Sequence, residues 1–226
     1  MLIHAGSRYG FRHFYKDMVD ITNVALNYKK TVLTDVNIHA ENGECVGLLG
    51  LNGSGKSTLL SAIAGIKKPA SGIITCEGKI GFVTQENALI DELSALDNLR
   101  MWTPLSKEEI KKELTSSDVS ALKVSEFVDV KVKRMSGGMK KRLALTSVLM
   151  EKPDILLLDE PLAGLDIPAK TDILNVIDSY RNGGGIVFVA SHAEEVFAHC
   201  DKIFVLKDGK CSPLPDGVSV VQAIND

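Results

Sequence analysis

The sequence predicts an α/β fold: a mostly parallel sheet with helices on both faces, an N-terminal antiparallel β subdomain and an inserted helical subdomain. Three observations predict it. Short apolar runs such as Cys45–Leu49 and Ile155–Leu158 have the length of buried strands and show no polar alternation. Beyond residue 138, helix-like and strand-like segments alternate, as strands of a parallel sheet require. Between about residues 86 and 150 the apolar period shifts to steps of three and four.

The first 17 residues, MLIHAGSRYGFRHFYKD, are basic and aromatic without a clear period. They read as an extension that is disordered or lies upstream of a true start at Met18, with a membrane-surface or partner-binding arm as the other reading, and they lack the apolar stretch of a signal peptide. Residues 18–226 form one domain. Met18–Tyr28 and Val32–Ala40 read as strands, followed by a turn at Glu41-Asn42-Gly43-Glu44 and the central strand Cys45–Leu49. Ser57–Gly65 reads as a helix. Gly72–Cys76 and Lys79–Val83 read as a hairpin around Glu77-Gly78.

In the inserted lobe, Leu89, Leu93, Leu96 and Leu99 share a helical period. Ser106-Lys107-Glu108-Glu109 has the form of a capping box. Trp102 reads as packing within the lobe. After it come helix Gly138–Met150, strand Ile155–Leu158, helix Ala169–Tyr180, strand Ile186–Ala190, a helix from Ala193 and strand Lys202–Leu206. Lys207-Asp208-Gly209-Lys210 makes a tight hairpin. The short segment beyond it carries no expectation of a regulatory domain.

Composition excludes some classes. The net charge of −3 gives no electrostatic reason to bind nucleic acid. No apolar run approaches the roughly 20 residues of a membrane-spanning helix. Cys45, Cys76, Cys200 and Cys211 show no metal-type spacing and read as small buried residues.

The chemistry starts at Gly50-Leu51-Asn52-Gly53-Ser54-Gly55-Lys56-Ser57-Thr58, which fits G-x-x-x-x-G-K-[ST] between a strand and a helix. Glycines let backbone N–H groups turn toward phosphate oxygens, and the helix start adds its positive end. Lys56 supplies charge to the outer phosphates and Ser57 a hydroxyl to Mg²⁺. Ile155–Leu158 ends in Asp159 and Glu160, at the edge where a carboxylate reaches the same metal. Asp159 is the candidate Mg²⁺ holder, through water, and Glu160 the group that polarises an attacking water. These elements predict a P-loop NTPase core.

A second glycine pair, Met135-Ser136-Gly137-Gly138-Met139, opens another helix. Ser136 suits the N-cap, and the glycines leave the first N–H groups bare for an anion. Such a start can hold a γ-phosphate but not a whole nucleotide. In these residues the chain resembles the ATP-binding-cassette (ABC) ATPases, whose LSGGQ signature is MSGGM here. The resemblance spans about Met18 to Lys210. It implies that the signature and the D-loop, Ala163-Gly164-Leu165-Asp166, act in trans: Ser136, Gly137, Gly138 and Asp166 close over ATP held by a partner's P-loop. It further implies that Tyr28 stacks on adenine. Gln85 joins the lobe to the core and senses Mg²⁺ and the water, and His192 after Ser191 touches the γ-phosphate.

The resemblance also implies two partners. One is a second copy or a homologous ABC ATPase. The other is an integral-membrane permease docking between the Gln85 loop and the helical subdomain, with the chain peripheral on the inner face of the cell membrane. Asp91–Trp102 looks like the corresponding segment of drug-type exporters. A soluble ABC ATPase working in assembly or as a chaperone is the other reading; a monomeric kinase or GTPase leaves Ser136–Gly138 and His192 without a role. Met139 and Met135 replace the family's glutamine and leucine but conserve volume, so activity is expected to survive. Ala163 removes a D-loop hydroxyl. Lys140-Lys141-Arg142 reads as a solvated helix face.

Overall fold

A computed structural model describes residues 2–3, 18–28, 30–116 and 118–225. Strands β1 (Leu2–Ile3), β2 (Met18–Tyr28), β3 (Lys30–Glu41) and β4 (Cys45–Leu49) come first, then helix α1 (Lys56–Ile63), β5 (Ser71–Glu77) and β6 (Ile80–Val83). The insertion holds α2 (Ala95–Trp102), α3 (Lys107–Ser116) and the 3-10 turns Asp118–Leu122, Val124–Phe127 and Val132–Arg134. Helix α4 (Gly137–Leu149) returns the chain to β7 (Ile155–Asp159), α5 (Ile167–Asn182), β8 (Ile186–Ser191), α6 (Glu194–Phe197), β9 (Lys202–Lys207), β10 (Lys210–Pro213) and α7 (Val220–Asn225).

One sheet runs in the order β1-β6-β7-β8-β4-β9-β10-β3-β2-β5. Its centre, β6-β7-β8-β4-β9, is parallel. The other wing, β3-β2-β5, is antiparallel. The wings meet through β10, which pairs with β3 at Lys210 and Thr34. Every residue of β4, β7 and β8 is buried, which is why these runs carry no polar alternation. Period two still sorts them between two cores. Leu156, Leu158, Val187 and Val189 face the core shared with the helical lobe. Leu157, Phe188 and Ala190 face the core shared with α1 and the antiparallel wing.

Several expectations need correction. The Glu77-Gly78 turn does not close a hairpin: β5 pairs with β2, and β6 with β7 and β1. Leu89 and Leu93 precede α2, because Ser94 caps it by accepting from Asp97 N at 3.1 Å. The buried Asn98 amide then holds the preceding loop, donating to Ile90 O (3.1 Å) and accepting from Ile90 N (2.8 Å). Within the extension at the N-terminus, Leu2–Ile3 pair with β6 as an edge strand; residues 4–17 lie outside the described residues. The capping box is present, with Ser106 N donating to Glu109 Oε2 at 2.8 Å and Glu109 N to Ser106 Oγ at 3.3 Å. All four cysteines are free thiols. Trp102 is half-buried and lines a groove with Phe82 and Leu89, so it packs the lobe and also shapes its surface.

Phe188, in the strand beside β4, is the largest fully buried side chain among the described residues. We expect Phe188→Ala to cost about 3–5 kcal/mol. The urea midpoint would fall with its slope unchanged.

Candidate active site

Strand β4 delivers the glycine-rich loop to the sheet's edge. Gly55 sits at the N-cap of α1 with φ 108°, where a side chain would be strained, and no side chain caps the helix. A Cβ there would come 3.0 Å from Leu33 Cγ. The first N–H groups of α1 are therefore open to an anion. Lys56 is only 5% exposed and folds back over the loop. Its Nζ donates to Gly50 O at 2.6 Å and Leu51 O at 3.3 Å, and lies 3.4 Å from Glu160 Oε1. The Ser54 hydroxyl is buried without a partner.

Strands β7 and β8 bring the acidic and imidazole groups to the same edge. Glu160 has φ 47°, a left-handed conformation costing roughly 1–2 kcal/mol for a residue with a Cβ. Its backbone N–H donates to Ala190 O at 2.9 Å. Its carboxylate meets three groups: Lys56, His192 Nδ1 at 3.0 Å from Oε1, and the Ser191 hydroxyl, which donates to Oε2 at 3.3 Å. Ser191 Oγ also accepts from Ala193 N at 3.0 Å. Strain held by this many contacts marks a site where side-chain direction matters.

Asp159 is 4% exposed and its Oδ1 has no partner. Burial pushes its carboxyl above the usual range. A hydrogen bond from Ser57 opposes that, the Glu160 charge adds to it, and Lys56 and Lys141 oppose it. A buried, orphaned carboxylate oxygen beside a serine hydroxyl is the hard-oxygen donor set that Mg²⁺ takes. Gln85 lines the same cleft of about 530 Å³, with Asn52, Gly53, Lys56, Ser57, Thr58 and Glu160. Tyr28 ends β2, and its side chain lies outside the described residues.

The second constellation stands apart. Ser136 caps α4, accepting from Met139 N at 3.2 Å, and Asp166 caps α5, accepting from Ala169 N at 3.0 Å. Ser136, Gly137 and Asp166 are exposed. None of Ser136, Gly137, Gly138 and Asp166 lines the cleft around Lys56.

The solvated face expected for Lys140-Lys141-Arg142 is a correction. Lys140 reaches Asp91 at 3.3 Å on the surface, but Lys141 is 5% exposed. Burial pulls the Lys141 ammonium down, and the Asp159 and Glu160 charges oppose this. Residues 141, 144, 145 and 148 form one buried helical stripe, so the apolar period held the signal. Arg142 Nη1 lies 3.2 Å from Asp172 Oδ2, a buried partner for which no motif stood in the sequence.

The ABC transporter family matches residues 33–163. The chain belongs to the ABC transporter family. It is 35% identical over 210 residues to the linearmycin resistance ATP-binding protein LnrL of Bacillus subtilis, covering 85% of this chain and 67% of that one. It is 31% identical to the uncharacterized ABC transporter ATP-binding protein YybJ of the same organism, covering 94% of it. An ATP-binding subunit of an ABC transporter shares the fold, with a TM-score of 0.79 at 23% identity over 91% of this chain and 97% of that one. The MJ0796 cassette matches at 30% identity with a TM-score of 0.75, covering 85% of this chain and 96% of its own. It is known as a dimer, including a post-hydrolysis state bound to ADP and phosphate. This ABC chain is an ATP-binding ATPase with the family's mixed sheet and antiparallel N-terminal strands.

Asp159 yields a pH-dependent prediction. Its carboxyl is raised, so the folded state holds the proton more tightly than the unfolded chain. Stability then falls as pH rises through the ordinary aspartate range toward the raised value, and the cost is fully present above that value. We expect Asp159→Asn to raise the thermal midpoint of the nucleotide-free protein at pH 7 and to lose that advantage in acid. Calorimetry across pH checks this.

Proposed function

We propose that this chain is the ATP-hydrolysing subunit of an ABC exporter, pairing head-to-tail with a second copy or a homologous subunit. One observation carries the reading. The chain has a glycine-rich cradle facing Glu160, which His192 contacts, and a second helix start, exposed at Ser136 and Gly137, that contributes nothing to its own cleft. A half-site turned to solvent fits the nucleotide of a partner.

In this reading Gly50, Asn52, Gly53, Ser54, Gly55, Lys56, Ser57 and Thr58 hold the phosphates, and Tyr28 supports the base. Mg²⁺ would lie among Ser57, Asp159 and Gln85, where it neutralises phosphate charge. Lys56 reaches the outer phosphates, its three ammonium donors shared between them and the loop carbonyls. Glu160 then keeps His192 and Ser191 as its partners, which aim it at a water in line with the γ-phosphorus. Glu160 takes a proton of that water as its oxygen bonds to the γ-phosphorus, while the bond from that phosphorus to the β-phosphate oxygen breaks and ADP leaves. The partner's Ser136, Gly137 and Gly138 meet the γ-phosphate from the far side, with the partner's Asp166 beside them.

Export is supported by the resistance role in the name of LnrL and by the Asp91–Trp102 segment. Among the described residues no helix is long and apolar enough to cross a membrane. A separate permease would carry the cargo path and seat this chain on the inner face of the cell membrane. The groove lined by Phe82, Leu89 and Trp102, between the Gln85 loop and the lobe, is its proposed contact.

Glu160→Gln is expected to bind Mg-ATP and to lose about 10²–10⁴ in turnover. Light scattering should show it shifting from monomer to dimer on adding Mg-ATP. A monomer with ATP demonstrably bound would remove self-pairing. Ser136→Arg is expected to leave ATP binding intact in the monomer and to abolish that mass shift in the Glu160→Gln background.

A further inference from the structure

The two exposed elements, the Ser136 start of α4 and the Asp166 loop before α5, stand on neighbouring helices that touch at two levels. At the top, a Cβ on Gly138 would lie 3.0 Å from the Ala169 Cβ, and one on Gly137 would lie 3.9 Å from the Gly164 carbonyl oxygen. The two starts therefore meet closely, with only the Ala169 methyl against the Gly138 backbone. This is a packing reason for glycine at 138, separate from any phosphate.

Lower down, a carboxylate joins three segments. Asp172 of α5 is 8% exposed and both its oxygens are engaged. Oδ2 faces Arg142 Nη1 of α4 at 3.2 Å, and Oδ1 accepts from Lys123 Nζ of the lobe at 2.8 Å. The Arg142 guanidinium lies 5.3 Å from the Phe127 ring centroid, and its Nε is buried without a partner. It is held between one ring and one carboxylate. Lys123 sits at φ 53°, at the corner between the 3-10 turns Asp118–Leu122 and Val124–Phe127. Arg142 and Asp172 each lie six residues beyond their own helix cap, about 9 Å along the axis. The contact thus links the helices at equal depth.

We propose that Asp172 is a positioning residue that yokes the Ser136–Gly138 helix start to the Asp166 loop, so that both reach the partner's nucleotide as one rigid piece. The inference rests on the head-to-tail reading above. Without the carboxylate, Arg142 is left as a half-buried charge with no anion, and Lys123 loses its tie to α5. The lobe can then turn α4 without carrying α5 along. The yoke makes closure of the signature and closure of the D-loop a single event.

The test compares wild type with Asp172→Asn, which keeps the volume and removes the charge, with Asp172→Glu, which keeps the charge, and with Lys123→Met at the half-exposed end. ATP affinity, kcat, KM, and amide exchange at 136–142 and 163–169 are measured with and without Mg-ATP. In wild type both segments should gain protection together. In Asp172→Asn, ATP affinity should hold within about twofold while kcat falls about 3- to 30-fold, and ATP should protect one segment without the other. Asp172→Glu should recover part of kcat, and Lys123→Met should show the same uncoupling more weakly. Joint protection persisting in Asp172→Asn with kcat within about twofold of wild type overturns the yoke alone. Loss of ATP affinity in step with kcat and thermal midpoint makes Asp172 an ordinary stabilising residue and also overturns it. A wild type with no ATP-dependent protection at either segment overturns the head-to-tail reading, and the yoke with it.

Discussion

The register of three adjacent parallel strands is the constraint on which the site depends. Leu49 of β4 stands beside Ser191 of β8, and Ala190 of β8 beside Asp159 of β7. All three strands therefore stop at one edge of the sheet. Their C-terminal continuations are forced into the same region: the glycine-rich loop, the Asp159–Glu160 pair and Ser191-His192. Open α/β sheets bind ligands outside the carboxyl ends of their strands for this reason. A one-residue slip of β8 would turn Phe188 out of its core and carry His192 away from Glu160, so packing and chemistry are fixed by the same pairing.

Electrostatics then tighten what topology has assembled. Lys56, Lys141, Asp159 and Glu160 are all nearly inaccessible to solvent. Buried charges persist only when others compensate them. Here Lys56 contacts Glu160 directly, while Asp159 keeps one oxygen unpaired and its carboxyl is raised by burial. The site is thus under-compensated at one defined atom, Asp159 Oδ1. A buried acceptor left without a partner costs stability.

Much of this was legible in the sequence, and the limits have physical causes. The glycine loop, the carboxylate-tipped strand, both caps and the buried central strands obey local rules, and the structure places each of them where those rules require. Pairing was less legible. Glu77-Gly78 is a good turn, but β5 and β6 serve different wings of the sheet, and no local signal separates a hairpin turn from a crossing between wings. Leu89 and Leu93 kept helical spacing yet fall in a loop held by the Asn98 amide, a tertiary contact. Lys141 sat on a readable apolar stripe and was obscured by its charged neighbours. Asp172 had no readable signal, since its partners Lys123 and Arg142 lie far from it in sequence and on other elements.

Lys56 is its own loop's ligand. Its ammonium donates to the Gly50 and Leu51 carbonyls, inside the loop it belongs to. Holding a long side chain in one rotamer costs up to about 2 kcal/mol, and here folding has already met that cost. On the proposed reading, an arriving phosphate would meet a lysine that is already ordered, with a third N–H still to give.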